Sequence, residues 1–290
     1  MTLTSTSAIE TLKRSRPEWS PWLAVVDEAL SEAATSRWDA CVPVAPEPDR
    51  ATPLLSHTTI VIDESSVRGL LNRLVGVAAR GGTPTMETLG GIAEPEFDVA
   101  GLFAASICED RDRISGMASR VGANAEALQA IAELLSFPFL QACNRLWKQS
   151  LPKDWAEGFC LVCGAWPALA ETRGIERTRY LRCGRCGGEW QAHILRCGFC
   201  GTNDHEQFAT LVPEQAGSSA IEGCKRCHGY VKTFTRLQGC AAASVLVEDL
   251  SSVDLDVAAL AQGYRRPAGR GADVEISVVA TAPRFLSWNV

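Results

Sequence analysis

Along the first half of the chain, apolar residues recur every three or four positions. In SPWLAVVDEALSEAA, Leu23, Val26, Leu30 and Ala33 share one helical face, with Ser20 placed to cap and Pro21 suited to the first turn. In DESSVRGLLNRLVGVAARGG, Asp63 can cap a helix whose face is Val67, Leu70, Leu71, Leu74 and Val77, and Gly81–Gly82 ends it. A third helix is expected around Phe97–Cys108. A fourth runs from Asn124 to about Lys148, with Leu128, Ile131, Leu135, Phe139, Cys143 and Leu146 in one stripe and Pro138 as a possible kink. The Pro-rich VPVAPEPDRATPLL between the first two helices must be extended. Amphipathic helices nearly always bury such stripes at home, so a helical domain is the simplest reading.

The pattern changes around Leu151–Gly158. From Cys160 to Cys240 the helical period gives way to glycines, arginines and short alternating runs. Beyond it, ASVLVED reads as a strand, DLDVAALAQGY as a short helix and DVEISVVA as a further strand. The expected class is α+β: an N-terminal all-helical domain over 1–157, two tandem rubredoxin-like or zinc-ribbon modules over 158–195 and 196–240, and a short mixed C-terminal segment over 241–290 packing on the ribbons.

The cysteines give the middle region its chemistry. Four C-x-x-C pairs occur: Cys160/Cys163, Cys183/Cys186, Cys197/Cys200 and Cys224/Cys227. A tight turn can present both thiolates of such a pair to one ion, and two of these knuckles complete a tetrahedron. Knuckles one and three are alike (CLVCG, CGFCG), and so are two and four (CGRCGG, CKRCHG). This A-B-A-B order is an internal duplication. It groups Cys160, Cys163, Cys183 and Cys186 as site 1, with 19 residues between the pairs. Cys197, Cys200, Cys224 and Cys227 form site 2, with 23 between. The stretch GEWQAHIL, between Cys186 and Cys197, is then a closing strand and not a loop within one site.

Two metal ions are expected, and four thiolates suit zinc or a single iron equally. Arg182, Arg185, Arg196 and Arg226 are placed either to moderate the charge of the sites or to be solvated strand residues. A segment this poor in large aliphatic residues needs a staple, so the metals first hold the fold; electron transfer or thiol redox chemistry is the sharper alternative.

Composition narrows the rest. The 290 residues are 46% hydrophobic and 21% charged, enough for a sizeable core. No apolar run has membrane-spanning length, and the N-terminal stretch has no hydrophobic core of a secretory signal. Twelve cysteines without an export signal point to a reducing, cytoplasmic setting. The net charge is −6, but residues 160–240 hold 10 Lys/Arg against 7 Asp/Glu. That excess keeps nucleic-acid binding open while falling short of the strong basic patch typical of it. Cys41, Cys108, Cys143 and Cys240 stand alone, with Cys108 and Cys143 on helical faces as small buried apolar groups. His193, His205 and His228 are peripheral because the cysteines already complete two sites. No phosphate loop, nucleophile elbow or carboxylate pair stands out, so no catalytic residue is assigned.

With those residues in place, the chain resembles the FdhE-type formate dehydrogenase accessory (formation) proteins of bacteria. The resemblance rests on C-x-x-CG-x-x-P at Cys160–Pro167, RYLRCGRCGGEW at 179–190, the Arg-x-Cys-x-x-Cys-Gly at 196–201 and GCKRCHGYVKTF at 223–234. VEDLSSVDLDVAALAQGYRR downstream also fits. Leu161 departs from the proline common there, but all eight ligands are present. The resemblance implies a cytoplasmic, non-catalytic maturation factor. It would bind the large catalytic subunit of a respiratory formate dehydrogenase before export, without nucleic acid or stable membrane association. It also implies rubredoxin-like iron in preference to zinc. The competing readings are a nucleic-acid-binding zinc ribbon and a rubredoxin-like redox protein.

Overall fold

The computed structural model describes residues 5–82, 84–152, 154–212 and 217–281. The chain forms two compact units. One is helical, built among the described residues from 13–44, 57–142 and 275–281. The other carries the cysteine pairs and is built from the N-terminus to Leu12, 45–56 and 143–274. Residues 282–290 of the expected C-terminal segment lie outside the described residues.

The elements of the first half are α1 (Ser5–Ser15), α2 (Ser20–Ala33), β1 (Thr58–Asp63), α3 (Glu64–Arg80), α4 (Pro84–Glu87), α5 (Val99–Cys108), α6 (Arg111–Arg120) and α7 (Ala125–Trp147). Four of the helices begin on a side-chain acceptor. Asp63 receives the N–H groups of Ser65 and Ser66, Asp98 that of Gly101, Asp110 that of Arg113 and Asn124 that of Ala127. Each such cap contributes about 1 kcal/mol. Ser20 is not a cap: the 3-10 turn Pro17–Trp19 leads directly into α2, and Trp19 precedes it without a side-chain bond.

The predicted stripes are buried, with two exceptions. Val75 and Ala78, rather than Val77, complete the buried face of α3, and Leu146 near the end of α7 is exposed. Inside the helical unit Trp38 stacks on Phe103, whose edge meets Phe139, at centroid separations of 5.7 and 5.5 Å. Buried Glu32 is compensated by Trp38 Nε1 at 3.0 Å and by Arg73, which also reaches Glu28.

The helical region is not purely helical. The strand β1 (TTIVID) buries Ile60 and Ile62 and pairs in parallel with β8 (Ile276–Thr281), from Thr58↔Ile276 to Asp63↔Thr281. The C-terminal strand therefore belongs to the helical unit and not to the ribbons. A six-residue strand whose partner lies more than two hundred residues away leaves no local signal, because parallel pairing needs a crossover and not a turn.

The cysteine-bearing unit is built on one six-stranded sheet. Its strands are β2 (Leu169–Arg173), β3 (Thr178–Arg182), β4 (Glu189–Gln191), β5 (Phe208–Leu211), β6 (Ser219–Cys224) and β7 (Tyr230–Arg236), in the order β4-β3-β2-β7-β6-β5. All pairs are antiparallel except the central one, where β2 runs parallel to β7 (Leu169↔Lys232 to Arg173↔Arg236). Each ribbon is thus a three-stranded meander. The second continues the first by translation: its last strand sits beside the first strand of its predecessor.

Helices α8 (Ser244–Ser251) and α9 (Val253–Ala261) follow the sheet. Leu255 and Ala259 pack on Ile221 and Tyr230, and Val245 packs on Ala168 and Leu169. The stretch ASVLVED is therefore helical, against the strand expected from its alternating valines. Glu248 pairs with Arg236, and its neighbour Asp249 pairs with Lys232. Both cations are on one face of β7. Consecutive side chains of a strand point to opposite faces, whereas in a helix they lie on adjacent sides and can reach one surface.

Candidate metal centres

The four C-x-x-C pairs fold into one repeated local shape. In each, the N–H four residues after the first cysteine returns to that cysteine's carbonyl: Gly164 to Cys160, Gly187 to Cys183, Gly201 to Cys197 and His228 to Cys224, at 2.8–3.0 Å. The first cysteine's own N–H is taken by the next carbonyl along, from Ala165, Gly188, Thr202 or Gly229. The residue closing the turn has a left-handed backbone in all four cases, with φ of 73° at Gly164, 72° at Gly187, 70° at Gly201 and 57° at His228. Glycine meets this requirement without cost; histidine meets it with some strain.

The turns aim N–H groups at sulfur, from Gly188 to Cys186 at 3.3 Å, Phe199 to Cys197 at 3.4 Å and Gly229 to Cys227 at 3.4 Å. Such donors moderate a cluster of thiolates. Knuckles one and two meet, as do three and four. Cys160 Sγ lies 3.4 Å from Cys186 Sγ, and Cys163 Sγ 3.6 Å from Cys183 Sγ. In the second group, the separations Cys197–Cys227 and Cys200–Cys224 are both 3.8 Å. Within each group all four sulfurs lie within 4.8 Å of one another. Thiolates about 2.3 Å from a tetrahedral ion stand about 3.8 Å apart, so the donor sets fit one ion each. The ten residues between Cys186 and Cys197 carry β4 and connect the two groups.

The two groups differ in exposure. All four cysteines of the first are fully buried. The Pro-rich segment straps the first knuckle through the turn at its end, where Leu54 and Leu55 donate to the carbonyls of Leu161 and Val162, and Arg270 donates to the carbonyl of Cys163. In the second group Cys197 and Cys224 are buried, Cys227 is half-buried and Cys200 is exposed. Burial pushes the Cys160 and Cys186 thiols far up, while hydrogen bonds from Cys160, Cys183 and Cys186 hold Cys163 well down. In the second group burial raises Cys197 and Cys227. At Cys224 burial is outweighed by the N–H groups of Cys227 and Arg226, and its thiol is lowered.

The arginines divide among several roles. Arg182 is buried and is neither a solvated strand residue nor directed at site sulfurs: it binds Glu171 at 2.8 Å and touches Cys240 Sγ at 3.3 Å. Arg185 adds a positive charge near Cys163. Arg196 donates to the Ala156 carbonyl, and Arg226 is exposed. Of the lone cysteines, Cys143 is buried, whereas Cys41, Cys108 and Cys240 are half-buried.

Two ionic clusters had no signature in the sequence. Glu171 on β2 gathers Arg182 of β3, Arg173, Arg236 of β7 and the Cys240 N–H. Burial alone would raise its carboxyl, but Arg182, the Cys240 N–H and Arg173 hold it at about 2. Fully buried Lys232 is held by Asp249 and Asp256 at 2.8 and 2.7 Å, and Asp256 also takes Tyr230 and Arg266. These clusters join β2, β3, β7, α8 and α9. Only the unremarkable charges of VEDLSSVDLDV could have hinted at them.

Residues 195–270 match the family described as FdhE, C-terminal domain. The chain is similar to the FdhE homologue of Aquifex aeolicus (31% identity over 114 residues, 38% of this chain and 40% of that protein). It is also similar to the FdhE homologue of Pseudomonas putida (32% over 142 residues, 44% of each chain). The matched stretches thus span about two-fifths of these relatives. The crystal structure of the FdhE protein from Pseudomonas aeruginosa shares the fold, with a TM-score of 0.57 over 92% of both chains at 20% identity.

Proposed function

We propose that this FdhE-type protein is a cytoplasmic, non-catalytic assembly factor that binds the catalytic subunit of an exported formate dehydrogenase and holds two metal ions in its tetracysteine sites. The observation that carries the reading is the match of residues 195–270 to the FdhE C-terminal domain, on a chain whose fold follows an FdhE structure over 92% of its length. Four thiolates fill a tetrahedron and leave no open position for substrate, which favours a structural or electron-carrying ion over a hydrolytic one. Among the described residues no helix is long and apolar enough to cross a membrane.

Affinity-tagged full-length protein, recovered from cells growing with formate, is expected to carry the formate dehydrogenase catalytic subunit. Removing the gene is expected to abolish formate oxidation while the subunit is still made. Absence of that subunit from the recovered protein, in cells that make it, would overturn the reading. The ion we assign is iron, which gives protein purified anaerobically and then oxidised a red-brown colour that bleaches on reduction. Colourless protein with two zinc ions per chain would replace iron by zinc and leave the assembly role standing.

A further inference from the structure

Beside site 2 the cysteine-bearing unit has a pocket of about 620 Å³, within the size range of ligand sites. Two edge-to-face aromatic pairs line it: Trp155 with Phe159 at 5.5 Å and Trp166 with Phe199 at 5.4 Å. The carboxylates Asp154 and Glu157 also line it. Close backbone approaches make this hollow possible. A Cβ on Gly158 would collide with the Gly198 carbonyl, and one on Gly271 would collide with Phe159 and press on Trp166.

The charge balance identifies the occupant. Cys197 and Cys200 of site 2 form part of the lining, and four thiolates leave one net negative charge on a trivalent ion and two on a divalent one. Among the described residues Asp154 pairs with Arg50 alone, at 3.6 Å and with both groups exposed, a weak contact. Glu157 has no ion-pair partner among the described residues. Against these stand His193 and Arg196; the Ala156 carbonyl at 2.8 Å fixes the Arg196 guanidinium but leaves its single positive charge, which two carboxylates and the metal centre together outweigh. Aromatic faces beside carboxylates and an anionic metal centre attract a cation. The rim continues over Ile194 and Leu195, both more than half exposed, so apolar residues flanking that cation have a surface to cover.

We infer that this pocket receives an arginine or lysine side chain from an extended peptide segment of a protein partner, with the neighbouring peptide lying on Ile194 and Leu195. The inference rests on the client-binding reading only for whose peptide it is. The pocket's preference is measured without a client, so a failure here leaves the co-purification test untouched.

The experiment is calorimetric titration of the metal-loaded full chain with three blocked peptides that differ at one central residue: arginine, its uncharged isostere citrulline, or glutamate. The arginine peptide is expected to bind about tenfold or more tightly than the citrulline peptide, as charge and cation–π attraction together imply. Its affinity should fall as salt rises. Glu157→Gln, which keeps shape and metal content, should weaken the arginine peptide severalfold and leave the citrulline peptide unchanged. Equal binding of arginine and citrulline, preference for glutamate, no saturable binding, or an unaffected Glu157→Gln would each overturn the proposal. The salt series on the unaltered protein keeps it testable if a variant fails to load its metals.

Discussion

Sites 1 and 2 are built from the same knuckle, with the same two backbone hydrogen bonds and the same left-handed closing residue, yet they meet solvent differently. Site 1 has four fully buried sulfurs beneath the strap of Leu54 and Leu55. Site 2 has an exposed Cys200 and a half-buried Cys227 beside an open pocket. Local sequence therefore specifies the ligand geometry, while distant segments decide whether the site is a sealed staple or an accessible surface. The largest expected effect tests this division. A structural tetracysteine ion contributes ~10–16 kcal/mol, as much as a whole domain's net stability. Cys160→Ser with Cys163→Ser should leave the cysteine-bearing unit unfolded. Cys197→Ser with Cys200→Ser should lose one ion, keep the other and retain most of the sheet. Metal content per chain together with circular dichroism separates the outcomes, and loss of both ions from the site 2 variant would break the contrast. In the unaltered protein, a chelator should likewise draw one ion out in a fast phase and the second in a slower one.

The grouping of the cysteines was legible in the sequence because a duplication writes it twice: CLVCG with CGRCGG, then CGFCG with CKRCHG. The helices were legible for a similar reason, since Asp63 announces its cap, Asn124 was placed at the start of its helix, and the stripes after them are periodic. What was hidden depends on partners far along the chain. The strand β1 is defined by residues 276–281, and ASVLVED is a helix that packs Val245 on Ala168 and Leu169 and pairs Glu248 and Asp249 with cations on β7. The fusion of two ribbons into one sheet was hidden too, because the parallel β2–β7 joint has no turn to mark it. Glu171 gave no signal either, as one acidic residue in an alternating run.

That joint supplies the next test. Glu171 accepts from Arg182, Arg173, Arg236 and the Cys240 N–H, bridging the first ribbon to the second. Glu171→Ala leaves Arg182 buried without its carboxylate, and breaking a buried pair in this way costs about 3–5 kcal/mol. The pH dependence has a definite sign. The folded carboxyl sits at about 2, below the ordinary 4.5. Its contribution is therefore fully present above the unfolded value and is lost as pH falls from about 5 through 2. Denaturant midpoints of the unaltered protein and Glu171→Gln should converge across that window. A gap between them that stays constant would show that the network does not hold the ribbons together.

The smallest effects lie in the knuckles themselves and ask how far the equivalence of the two sites extends. At Gly187 an added Cβ would meet the Cβ of Ala242 at 2.5 Å and its carbonyl at 2.6 Å, besides the left-handed strain. At Gly201 only the Arg196 guanidinium comes within 4 Å. Gly187→Ala should therefore cost more than Gly201→Ala, which bears little beyond the ~1–2 kcal/mol of a left-handed residue. His228 already bears that strain in the fourth knuckle. His228→Gly relieves it but adds about 0.5–1 kcal/mol of unfolded-state freedom, so the net gain should stay below about 1 kcal/mol. Unfolding midpoints of the metal-loaded proteins measure all three. If His228→Gly instead destabilises the fold by more than Gly201→Ala does, the imidazole is holding its neighbour Tyr264, whose ring lies 6.4 Å away. The fourth knuckle would then owe its shape to α9 and the turn after it, and the two sites would differ in construction as well as in exposure.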